Sequence, residues 1–112
     1  MNVSYEGIGY QAVTMPAANC QASQLCKIDA QGRADACASG DRFCGLVEAV
    51  ENNRAAVQIA GFVKVSYSGT APAAGYAKLI SDGKGGIRAA GEGWDYLVIA
   101  LDETNRTVTL KL

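Results

Sequence analysis

The chain has 112 residues, ten basic and eleven acidic side chains, a formal net charge of −1 and no histidine. One domain is expected, since a chain of this size buries roughly two-thirds of its unfolded surface around one modest core. Scattered charge argues against the basic stripe of a nucleic-acid binder, the apolar runs are too short for a membrane helix, and without histidine neither serine–histidine nor cysteine–histidine catalysis can be built within one chain.

The N-terminus, "MNVSYEGIGYQAV", lacks the basic start and apolar stretch of a signal peptide, so synthesis into the cytoplasm is expected. Residues 1–8 read as an extended arm. "TMPAANCQASQL", Thr14 to Leu25, reads as a long loop, with a helical turn at most between Ala17 and Gln24. "DAQGR" and "ENNR" are turn signals. "AVQI" alternates, with Val57 and Ile59 opposed to Ala56 and Gln58. "FVKVSY" places Val63, Val65 and Tyr67 on one face of a strand. "SYSGTAPAAGY", Ser66 to Tyr76, reads as a second long loop. Asp82-Gly83 in "SDGKGG" is a hairpin signal, because glycine accepts the positive φ of tight hairpins. The C-terminal "TVTLKL" alternates again, with Val108, Leu110 and Leu112 on one face.

The chain also matches itself. Shifted by 51 positions without gaps, Cys26 to Ile59 falls on Ala77 to Leu110, with eight identities in 34 pairs. Chance gives about two or three at ordinary residue usage. Turns fall on turns and strands on strands, and Gly9 to Val13 matches Gly61 to Val65 after a one-residue slip. The fold class that follows is all-β: a compact small β-barrel or sandwich built from two pseudo-repeated β units. The domain is 1–112, with repeats 9–59 and 61–112 behind the arm.

The repeat weighs on the candidate sites. "GEGWDYLVIALDET" clusters Glu92, Asp95, Asp102 and Glu103 around Trp94, which suggests paired carboxylates for acid–base work. Its counterpart "GDRFCGLVEAVENN" puts Asp41 under Glu92, Glu51 under Asp102 and Phe43 under Trp94. Acids recurring at turns point to turn chemistry, and a large ring recurring in both halves points to core packing. Cys20, Cys26, Cys37 and Cys44 lack C-x-x-C spacing and fall on Ala71, Ala77, Arg88 and Asp95, so free, partly buried thiols are expected. "SDGKGG" lacks the Gly-Lys-Ser/Thr ending of a phosphate loop. "LVIAL" is apolar on both faces, which fits either burial or cover by another subunit.

Taken in order, "GLVEAVENNRAAVQIAGFVKV", "YAKLISDGKGGIRAA", "YLVIALDETN" and "RTVTLKL" resemble the small capsid cement, or head-decoration, proteins of tailed bacteriophages. The resemblance covers Cys26 to Leu112. It implies a non-enzymatic virion protein of a phage or prophage that binds the capsid exterior and stabilises it, often as a trimer. It also implies an N-terminal arm in contact with the shell. The expected partners are capsid protein and further copies of the chain, without nucleic acid, membrane, metal or cofactor. The expected location is the host cytoplasm during assembly and then the virion. Exposure logic places contacts at Tyr5, Tyr10, Thr70, Pro72 and Tyr76. The alternatives are a β-module holding a sugar or peptide with Trp94 and Tyr96, a hydrolase using Glu92 and Asp95, and a thiol-based redox or metal protein.

Overall fold

The alternating segments become ten strands in the computed structural model, which describes residues 9–112. The expected arm and Tyr5 lie outside the described residues. The first half holds β1 (Gln11–Pro16), β2 (Leu25–Ile28), β3 (Ala34–Ala36), β4 (Gly45–Glu51) and β5 (Arg54–Ala60). The second holds β6 (Phe62–Ser68), β7 (Gly75–Ser81), β8 (Ile87–Ala89), β9 (Trp94–Asp102) and β10 (Thr107–Lys111). The two long loops are shorter than the sequence implies. β1 runs on through Pro16 because Thr14 and Met15 pair with Ala56 and Ala55, and β6 continues to Ser68 beside β8.

The first sheet runs β1-β5-β4-β2-β3, and the second is a closed barrel, β10-β6-β8-β7-β9. Read from β6, the barrel runs β6-β10-β9-β7-β8, the same order strand for strand. The barrel closes through a parallel pair, Tyr67 with Ile87 and Ser68 with Arg88. The first sheet curls until its ends meet at one parallel bridge, Ala17 with Ala34. There Ala18 N–H donates to Ala34 O at 2.8 Å and Ala36 N–H to Asn19 O at 3.2 Å. Curling in both halves satisfies backbone groups that a flat sheet would leave at open edges.

The repeat is finer than a constant offset allows. In β4 and β9 the shift of 51 holds down to the irregularity: pairing skips Glu48 in one and Ile99 in the other. The hairpins beyond them differ. Asn52 and Asn53, at φ 52° and 61°, join β4 to β5 as a two-residue turn. Glu103 to Arg106 join β9 to β10, so Val57 corresponds to Leu110 and not, as the ungapped match has it, to Val108. The turn before β3 slips likewise. Asp29 Oδ1 accepts the N–H groups of Gln31 and Arg33, and Asp82 Oδ1 accepts those of Lys84 and Gly86. Gly32 therefore matches Gly85, both at positive φ.

The interiors differ in bulk. Inside the first sheet lie Cys26, Ala34, Val47, Ala55 and Val57. The barrel holds Val63, Val65, Tyr67, Leu79, Ile87, Val98, Val108 and Leu110, and Leu25, Cys37 and Phe43 of the first half join that cluster. Gly61 alone links β5 to β6. Gln58, buried beside it, donates to Ala60 O and Phe62 O at 3.1 Å and braces the joint.

Gly86 lets the barrel close, because a Cβ there would run into Ser66 O and Oγ at the β6–β8 seam. Gly86→Ala is expected to cost about 1–3 kcal/mol through forced backbone shifts, read as a lower urea midpoint. Gly91→Ala, with nothing within 4 Å of its Cβ, is the control and should change stability by less than about 0.5 kcal/mol.

Candidate functional site

The two halves meet along a seam built by the segment between β3 and β4. Gly40 N–H donates to Ser81 O at 2.9 Å, and Ser81 N–H donates to Asp41 O at 3.0 Å. This pair of bonds lays the segment against the end of β7. Phe43 then stacks on Tyr96, with ring centroids 4.2 Å apart and planes 12° from parallel. The Tyr96 hydroxyl donates to Phe43 O at 2.6 Å, so a buried carbonyl and a half-buried phenol satisfy each other. Burial raises the Tyr96 pKa, against the opposing pull of Arg42.

Beside the stack opens a groove of about 440 Å³. Ile28, Phe43 and Leu112 give it apolar walls, Lys27 and Arg42 give it charge, and Cys44 lies on its surface. Lys27 Nζ is held by Asp41 Oδ2 at 2.6 Å. That contact and the Ala38 N–H keep the Asp41 carboxyl below its ordinary range. Arg42 reaches over the Trp94 ring at 5.7 Å from its centroid.

All four cysteines are free thiols. The β2–β4 pairing brings two of them together: Cys26 lies opposite Gly45, and Cys44 N–H donates to Cys26 O at 2.9 Å. The Cys26 thiol also donates to the Cys44 sulfur, and the backbone N–H groups of Cys44 and Ile28 add to it. These bonds outweigh desolvation and bring Cys44 down to about 7, while Cys26 is held above the ordinary thiol range by giving its proton to Cys44 and by burial. Burial, then Asp41, pushes Cys37 up to about 12. Chemically, Cys44 gives the groove a thiol that ionises more readily than an ordinary one, and the thiolate is the form that attacks a small electrophile. The spacing of the cysteines, read for metal pairs, gave no sign of this contact.

The expected contact residues are spread over the surface. Tyr10 is exposed and donates through its hydroxyl to both carboxylate oxygens of Glu48, at 2.5 and 2.6 Å. Thr70 is exposed in the loop after β6, and Tyr76 is largely exposed on β7. Pro72 is buried, which removes it from the contact surface, while Ala73 and Ala74 after it are exposed. Trp94 also departs from expectation. Phe43 is a core ring, but Trp94, the first residue of β9, is partly open to solvent under Arg42. Among the clustered acids, Asp102 accepts from the N–H and side chain of Asn105, as turn chemistry requires. Asp95 faces Lys78 at 3.4 Å.

Leu101 ends the run "LVIAL" that the sequence marks for burial or for cover by another subunit, and Val50 is its match in the first half; both are exposed. The flanking residues, which alternate to the other strand face, line a shallow hollow in each half: Ala49 and Glu51 in one of about 360 Å³, Ala100 and Asp102 in one of about 180 Å³. The signal was the apolar run continuing to the very edge of an acidic turn in both halves.

No family model, curated protein or solved structure matches this chain.

Cys44 should react with iodoacetamide with a half-maximal rate near pH 7, against 9.0 for an ordinary thiol. The thiolate is the reactive form, so the rate rises with pH through that value. Cys26→Ala removes the bond that favours the thiolate and should move the midpoint upward. Site-resolved mass spectrometry of quenched samples checks both.

Proposed function

We propose that this chain is a structural virion protein of a phage or prophage, one that binds the outside of a capsid shell and stabilises it without catalysis. The observation that carries the reading is the doubled exposed hairpin. Val50 and Leu101 expose apolar side chains at the same place in two equivalent hairpins, and the neighbouring Ala49 and Ala100, which alternate to the other strand face, line a shallow hollow in each. Isolated exposed apolar residues are ordinary. Two copies of one small patch on a rigid body are what a repetitive lattice of identical subunits can engage, since two weak contacts on one body reinforce each other. Tyr10 is held by Glu48 at the bulge of β4, on the strand that carries Val50. In this reading the arm adds further shell contact, and the protein acts in the host cytoplasm during assembly and afterwards on the virion.

The test is co-sedimentation with expanded, DNA-free phage heads. Val50→Asp and Leu101→Asp should each weaken binding about tenfold, and the double variant should lose about a hundredfold, the effect of two contacts at roughly 1.4 kcal/mol each. A double variant that decorates heads as well as the unaltered protein would overturn the assignment of these patches. Failure of the unaltered protein to bind any expanded shell offered would overturn the function.

A further inference from the structure

The two halves share one register here, and they part company at Cys44. In the second half Ala77 pairs with Tyr96, and the ladder runs on through Lys78 with Asp95 and Leu79 with Trp94. The matching pair in the first half is Cys26 with Gly45, and there the ladder stops. Instead of pairing with Lys27, Cys44 turns its N–H to the Cys26 carbonyl at 2.9 Å. Two successive residues, Cys44 and Gly45, thus oppose one, which is the arrangement of a β-bulge and re-aims the extra side chain. Regular alternation would send the Cys44 side chain to the face opposite Cys26, as it sends Asp95 to Lys78. The bulge brings it to Cys26, whose thiol donates to the Cys44 sulfur.

Gly45 keeps the approach clear. It is the ladder partner of Cys26, and a Cβ on it would stand 2.7 Å from both Val57 Cγ1 and Gln58 O. Residues that face each other across an antiparallel pair have Cα atoms roughly 4.5–5.5 Å apart, inside the roughly 4.4–6.8 Å that a disulfide spans. The two sulfurs differ in access. Cys26 is fully buried among Ala34, Val47, Ala55 and Val57, whereas Cys44 is exposed on the groove. An exposed, readily ionised thiol beside a buried one is the placement of an attacking and a resolving cysteine. The other two cysteines lack it. Cys37 is buried and Cys20 partly so, and burial raises the pKa of both.

We propose that Cys44 and Cys26 form a hydroperoxide-reactive dithiol, in which Cys44 attacks and Cys26 resolves. The Cys44 thiolate attacks the terminal oxygen of the hydroperoxide and the O–O bond breaks. The departing alkoxide, or hydroxide where the oxidant is hydrogen peroxide, takes up the proton that Cys44 released on ionising. Cys44 is left as a sulfenic acid. The Cys26 sulfur then attacks the Cys44 sulfur. An S–S bond forms, the S–O bond breaks, and hydroxide leaves with the Cys26 proton as water. The two thiols have lost two electrons, and the hydroperoxide has become an alcohol, or water, and a second water. The bridge closes the loop from Lys27 to Phe43, so it ties the segment that stacks on Tyr96 to β2. Shell binding plays no part in this chemistry, so the two can fail separately.

The experiment treats the whole reduced protein with a small excess of hydrogen peroxide at neutral pH. Catalase ends the reaction, N-ethylmaleimide blocks the remaining thiols, and unreduced peptides are mapped by mass spectrometry. The intact mass should fall by two hydrogens before blocking. A Cys26–Cys44 disulfide should account for the loss, and Cys20 and Cys37 should take the maleimide. In Cys26→Ser, which keeps a hydroxyl donor beside Cys44, oxidation should stop at the sulfenic acid, captured by dimedone. That capture should run about tenfold faster at Cys44 than at Cys20, since the more acidic thiol is far more ionised at neutral pH and only somewhat less nucleophilic. Cys44→Ser should leave Cys26 reduced. A Cys44 that stays reduced in the unaltered chain overturns the proposal. So does a Cys44 carried to sulfinic acid while Cys26 takes the maleimide, or a disulfide that joins Cys44 to Cys20, to Cys37 or to a second chain. The unaltered chain decides these outcomes even where a variant fails to fold.

Discussion

Everything in this structure leans on the seam at Phe43. A unit of about fifty residues is near the lower limit for an independent core, and the first unit is lined with Cys26, Ala34, Val47, Ala55 and Val57, which are small. Leu25, Cys37 and Phe43 do not turn into that interior. They join the barrel's cluster instead, and the Phe43–Tyr96 stack, with its hydrogen bond, fixes how they do so. The one-residue joint at Gly61 and the bonds of Gln58 hold the two units at a second point. With both ends pinned, the orientation of the two units is set, and with it the groove that Cys44 borders.

Much of the fold was legible because β structure writes itself with period two. Val63, Val65 and Tyr67 were placed on one face and all three are buried, and the halves repeat one strand order. The register was less legible. A gapless comparison cannot see two extra residues in the β9–β10 hairpin, so it paired Val57 with Val108 on the strength of an identity, while the ladder matches Val57 to Leu110. The aspartate turns were correctly read as turns and matched two residues out, because the gapless shift laid Gly32 on the glycine at 83, while the Asp29 and Asp82 bonds lay it on Gly85.

The candidate site was less legible still, for a physical reason. A repeat fixes which positions correspond, but an end unit and an inner unit have different neighbours. Phe43 and Trp94 correspond, and one is core while the other is surface. Leu25 and Tyr76 correspond in the same way. Environment belongs to the assembly, and a sequence compared with itself carries no sign of which copy is last. The meeting of Cys26 and Cys44 likewise came from strand pairing that no local spacing announces.

The thin interior of the first unit also bears on the order in which the molecule takes shape. Translation delivers the N-terminal half first, and domains usually fold as they emerge. This half arrives with little apolar volume of its own and with Leu25 and Phe43 seeking a surface that has not yet been made. The barrel that supplies it closes only once β10 is in place. The second-made unit is therefore the template on which the first-made one settles.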